Sequence, residues 1–290
     1  MEELSFDVFS NHHKPAVLGE SPAIDPESNA LWWVDIDGKK ILKTSLDSGR
    51  TEAWDTPEIP GFVVLAGQNA PALGMQSGIF SFDPTSGAFK RLLHFEGEGS
   101  RFNDAALDGS GRLWASTMAL DGRPGSAAIH LVREDMTLQT VISGLALPNG
   151  MAIDLKRERF IYSDSHPDSQ CIWMQRLNEG SPTDIEPRIF ASARDLSGRP
   201  DGAALDQNGN YWIAGVDGSA LYVFDLAGDL QTTVPVPFPA PTKLCFPCPE
   251  GRLVVVTSKQ EGEFGGRLAK ATLPTGMPAG ETQPYWNSHT

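Results

Sequence analysis

One phrase returns along this chain often enough to restrict what it can fold into. A turn of Asp, Asn and Gly leads into an aromatic or aliphatic run at 25–33 (DPESNALWW), 108–114 (DGSGRLW), 154–162 (DLKRERFIY) and 206–212 (DQNGNYW). Weaker copies stand at 67–75 (GQNAPALGM) and 249–256 (PEGRLVVV). Each copy is a hairpin signal, because the turn residues accept tight or left-handed backbone and the flanking residues suit a pleated, half-buried surface. A second phrase follows the first at 41–49 (ILKTSLDSG), 79–87 (IFSFDPTSG), 172–180 (IWMQRLNEG) and 221–228 (LYVFDLAG). Alternating apolar residues again end in a turn, which gives a second hairpin.

Two hairpins make a four-stranded unit. Six such units at roughly 45-residue intervals predict an all-β, six-bladed β-propeller with four-stranded antiparallel blades, spanning 1–290 as a single domain. The 29 Gly and 22 Pro are spread along the chain, as many short turns require. A β-sandwich also uses short strands but does not require so regular a period. A closed ring hides its sheet edges, so many short strands can coexist without pairing to other chains.

The turn Asp serves as a ruler. Five residues before it lie Glu20, Asn103, Asn149 and Asp201, each in a short polar, Gly- or Pro-rich phrase. Equivalent positions of successive blades lie on a ring about the propeller axis, so these four oxygen-bearing side chains are expected to face the channel mouth. Carboxylates that face one another across a narrow channel are costly unless a cation lies between them. Carboxylate and amide oxygens suit Ca²⁺, Mg²⁺ or Mn²⁺, and no His or Cys occupies the matching offset, which disfavours a typical Zn²⁺ site. Any one of these phrases alone would be read as an ordinary turn; the shared offset singles them out.

The net charge of −14 argues against nucleic acid or an anionic membrane as partner. Three Cys make a poor disulfide framework, and the first residues carry no basic start followed by an apolar stretch, so a cytoplasmic setting with no membrane span is expected. No obligate protein partner is evident. Cys245 and Cys248 have redox-motif spacing but precede a strand and enclose a Pro, which favours a core or loop role. His12 and His13 read as solvated, and His166 as a loop residue near the mouth. Trp32, Trp33, Trp114 and Trp212 recur within the repeat and read as blade packing. No Gly-x-Ser-x-Gly elbow is present, which disfavours a serine-hydrolase route.

The segments 19–22 (GESP), 33–36 (WVDI), 101–104 (RFND), 115–118 (ASTM), 148–151 (PNGM), 200–202 (PDG) and 241–246 (PTKLCF) resemble the senescence marker protein (regucalcin)/gluconolactonase family. The likeness runs from about residue 17 to about residue 260, in order and spacing. The resemblance implies a six-bladed propeller that hydrolyses a sugar (aldono) lactone with one divalent metal ion. Ca²⁺ is favoured, and Zn²⁺, Mn²⁺, Mg²⁺ or Fe²⁺ are possible. It further implies Glu20, Asn149 and Asp201 as metal ligands, and Arg101, Asn103 and Asp121 as contacts to the lactone. Leu120-Asp121-Gly122 departs from the acidic pair more common in the family, and Ser116 replaces a usual Gly. Asp201 is the candidate catalytic base, and Asp104 is expected to bond turn amides. The competing readings are a related propeller hydrolase for phosphotriesters or non-sugar lactones, and a non-enzymatic calcium-binding propeller.

Overall fold

The computed structural model describes residues 4–9, 14–183, 185–247 and 250–287. Cys248, His12 and His13 lie outside the described residues. Six antiparallel sheets follow one another along the chain. Blade one is Gly19–Asp25, Ala30–Asp35, Lys40–Ser45 and Thr51–Asp55, and blades two, three and five repeat this consecutive order. Their innermost strands are Phe62–Leu65, Ser100–Leu107 and Arg199–Leu205. Blade four starts with Pro148–Asp154, and its third strand, Cys171–Asn178, pairs with both Ser181–Pro182 and Arg188–Ser192. Blade six takes its first three strands from Pro241–Cys245, Leu253–Ser258 and Ala269–Thr272, and its outer strand from Asp7–Val8. A six-bladed, all-β propeller is the architecture, with one short 3₁₀ turn at Leu155–Arg157. Among the described residues, no helix is long and apolar enough to cross a membrane.

The repeat phrase has a direct physical meaning. Asp206 is fully buried and accepts from the backbone N–H of Asn208 and Asn210, the Asn210 amide and the Trp212 indole (3.1 Å). Asp108 does the same for Ser110, Arg112 and the Trp114 indole (3.2 Å). In these two blades one carboxylate closes the hairpin and satisfies the buried indole N–H, whereas the buried Trp32 indole of blade one finds no partner among the described residues.

Neighbouring strand residues point to opposite faces, which explains why the second strands are apolar throughout. Trp32 packs with Val63, Leu73 and Phe82 of blade two, whereas Trp33 packs with Val255 and Leu268 of blade six. Six such clusters, one between each pair of adjacent blades, close the ring. Trp32, Trp33, Trp114 and Trp212 are all buried, as their recurrence predicts, and Cys245 is a core residue between blades six and one.

The two ends of the channel differ. The segment 279–287 bonds to Gln207, Leu205, Leu65 and Gly111 at the far ends of blades five, two and three. That end is strapped over by chain. The opposite end, where the innermost strands begin, is left for side chains.

Candidate metal centre and substrate pocket

Each innermost strand enters at the open end and, in five blades, carries a bulge there. The register shifts between Glu20 and Ala23, Phe102 and Ala105, Asn149 and Ala152, Pro200 and Ala203, and Pro241 and Leu244. A bulge adds one residue, bends the strand and re-aims a side chain. The innermost strand of blade two, Phe62–Leu65, keeps an unbroken register and contributes no residue to the cavity at this end.

That cavity has a volume of about 220 Å³, and Glu20, Asn103, Asn149 and Asp201 all line it, with Arg101 and Asp104. The four positions found by the ruler therefore meet at one place. Asp121 does not line the cavity. It sits on the exposed turn beyond Leu113–Ala119, with its carboxylate 3.4 Å from Arg123. His166 also stands off the lining, on a loop where its ring faces Asp168 at 3.7 Å.

A hydrogen-bond relay fixes the amides. Arg101 Nη1 donates to Asn103 Oδ1 and to the Phe102 carbonyl, both at 2.8 Å. Asn103 Nδ2 donates to Asn149 Oδ1 (2.9 Å) and the Pro148 carbonyl (3.0 Å). Asn149 Nδ2 donates to Ser165 Oγ (3.1 Å), which in turn donates to the Pro200 carbonyl. With its nitrogen committed to Ser165, Asn149 presents its oxygen, which keeps a second lone pair.

Beneath the ring lies a buried ion pair. Lys243 Nζ bonds Asp104 Oδ1 and the Ala105 carbonyl (2.8 Å), and both side chains are almost wholly buried. Asp104 also accepts from the backbone N–H of Ala105 (2.8 Å) and of Met151 on blade four (3.2 Å). Asp104 was expected to bond turn amides; the backbone amides it bonds belong instead to the innermost strands of blades three and four. The pairing with Lys243 was not expected, because Lys243 has no marked offset in its weak repeat. A Cβ on Gly202 would stand 2.3–2.7 Å from the Lys243 side chain, so the Gly of Pro200-Asp201-Gly202 clears a path for the lysine.

The electrostatics set Glu20 and Asp201 apart. Burial, opposed by the Lys243 charge and reinforced by Asp104, raises the Glu20 carboxyl to about 7. Burial, then the charges of Glu20 and Asp104, holds the Asp201 carboxyl well above the usual carboxylate range. Glu20 accepts the adjacent Ser21 N–H (2.6 Å), and no protein donor reaches the Asp201 carboxylate among the described residues. Two desolvated carboxylates lining one cavity with an oriented amide oxygen form a donor set that a hard divalent ion would fit. Among the described residues there is no cluster of three or more His, Cys, Asp or Glu able to hold a metal, because the third ligand of this set is an amide.

Residues 18–260 match the family described as SMP-30/Gluconolactonase/LRE-like region. A 6-deoxy-6-sulfogluconolactonase of Pseudomonas putida is 28% identical over 258 residues, covering 88% of each chain. An L-arabinolactonase of Azospirillum brasilense is 27% identical over 247 residues, covering 83% of this chain and 81% of the relative. Among solved structures, regucalcin of Agrobacterium tumefaciens, described as a calcium-binding protein, superposes with a TM-score of 0.88 at 22% identity over 98% of each chain.

Proposed function

This chain belongs to the SMP-30/gluconolactonase/LRE-like family, and from that premise we propose that it is a hydrolase that opens a sugar (aldono) lactone to the aldonic acid with one divalent metal ion. The observation that carries the reading is the convergence of Glu20, Asn149 and Asp201, from three blades, on one cavity where burial outweighs the nearby cations and holds the Glu20 and Asp201 carboxyls above their ordinary range.

Those three residues would hold the ion, with Ca²⁺ favoured by the all-oxygen donor set. The bound ion would supply Lewis acidity toward an ester carbonyl. The chain's own residues do the rest. Asp201, once ionised, takes the proton of the attacking water. The Asn103 amide hydrogen-bonds substrate hydroxyls. Arg101, fixed by Asn103 and the Phe102 carbonyl, places a cation beside the oxygen on which charge develops. Asp104 remains bound to Lys243 and acts on the framework. Asp121 would reach substrate only from the exposed turn it occupies. The few Cys and the absence of a membrane-spanning helix among the described residues support a cytoplasmic setting, and the net charge of −14 supports a small-molecule partner over nucleic acid.

The test is a proton-release assay with aldonolactones and organophosphate triesters, with and without chelator. Opening of an aldonolactone that chelator stops and added Ca²⁺ restores supports the reading. Turnover of triesters alone would replace it with the phosphotriesterase alternative. Ion binding without turnover of any substrate would leave a calcium-binding propeller.

A further inference from the structure

The turn aspartates that mark Glu20, Asn103, Asn149 and Asp201 five residues upstream mark a second set seven residues upstream: Leu18, Arg101, Leu147 and Arg199. All four line the cavity. Each stands two residues nearer the open end than its partner in the first set, about 7 Å along an extended chain. The innermost strands begin at the open end, so this second ring stands outside the first, between the candidate ligands and solvent. Lys259 joins it at the junction of blades six and one, where its backbone bridges Leu18.

The charges of this wall are unevenly engaged. Asp104 is neutralised by Lys243, and Glu20 and Asp201 by the ion of the proposed function. The other charged residues on the lining are Arg101, Arg199 and Lys259, all cations, in a chain of net charge −14. Arg101 is tied inward to Asn103. Arg199 reaches Asp217 at 3.4 Å and Lys259 reaches Glu261 at 3.9 Å, and neither acid lines the cavity. Arg199 is 34% and Asp217 44% exposed, and Lys259 and Glu261 are each 49% exposed; ion pairs this open contribute little, so both cations can turn to a ligand, with the Arg199 charge also felt by Asp201.

We propose that the lactone this chain takes carries a second, anionic group (carboxylate, sulfonate or phosphate), held at the mouth by Arg199 and Lys259 while the ring lies against Arg101 and Asn103. A neutral sugar would leave these two cations with only their weak pairings to Asp217 and Glu261 at the surface. An anion pairs with both and is drawn to them from solution by their field. The inference rests on the lactonase reading and narrows its substrate class.

The experiment measures kcat/KM for D-glucono-1,5-lactone, 6-phospho-D-glucono-1,5-lactone and D-glucaro-1,4-lactone with the metal-loaded protein. At least one anionic lactone is expected to exceed the neutral one about tenfold, and the excess is expected to shrink as NaCl rises and screens the mouth. Arg199→Gln should lower the anionic-to-neutral ratio about tenfold, mainly through KM, and Arg199→Lys should recover part of it. The phosphate and carboxylate substrates separate the kind of anion preferred. An anionic-to-neutral ratio of one or less in the unaltered protein, or a ratio that Arg199→Gln leaves in place, overturns the proposal and leaves the lactonase reading standing. Opening of no lactone overturns both.

Discussion

Asp104 and Lys243 show how much of this site rests on two side chains that need not touch substrate. The carboxylate receives Lys243 from blade six and the Met151 N–H from blade four, so the pair braces the channel beneath the candidate ligands. Lys243→Met would leave a buried carboxylate without its counter-charge. The expected loss is about 3–5 kcal/mol, read by urea unfolding, and the double change with Asp104→Asn should recover much of it. Asp201→Ala should abolish both ion binding and turnover while leaving the ion-free fold intact, checked by calorimetric titration and circular dichroism. The Glu20 carboxyl, raised to about 7, gives a pH signature. Between about 4.5 and about 7 the unfolded chain has released this proton and the ion-free folded chain still holds it, so ion-free stability falls as pH rises through that window. Ion binding requires the ionised form and strengthens over the same range. The gain in melting temperature on adding Ca²⁺ to chelator-treated protein should therefore be larger at pH 8 than at pH 5.

At the scale of the strand and turn, the buried aspartates that revealed the repeat also hold it. Asp206→Ala would orphan the Trp212 indole and two backbone N–H groups, and should cost about 2–4 kcal/mol in the same unfolding measurement. This explains which parts of the fold were legible in the sequence. The Asp–turn–Trp phrase marks the first hairpin of a blade because its hydrogen bonds are local, and its offset reached Glu20, Asn103, Asn149 and Asp201 because each lies on the strand that its marker ends or directly follows. Lys243 was not legible in this way, since blade six lacks the aspartate and the partner of Lys243 is 139 residues away. The bulges were equally silent, because they exist only as a mismatch between two strands. The resemblance that named Asp121 rests on position along the chain, and the orientation of an exposed turn is not carried by that.

The whole molecule is a ring with two unlike ends. One is strapped by 279–287 and the other is built from five bulged strands, so the chemistry is confined to a single mouth. The ring is closed by Asp7–Val8, which completes blade six from the other end of the chain. Deleting residues 1–9 should lower the melting temperature and expose the edge Ala269–Thr272, measured by calorimetry and by dye binding to apolar surface. The proposed activity requires three oxygens from blades one, four and five to share one cation. Anomalous diffraction from crystals soaked in Mn²⁺ tests this directly. A single strong peak within bonding distance of Glu20, Asn149 and Asp201 is the predicted result, and an active, ion-loaded protein whose peak lies away from those residues would contradict it.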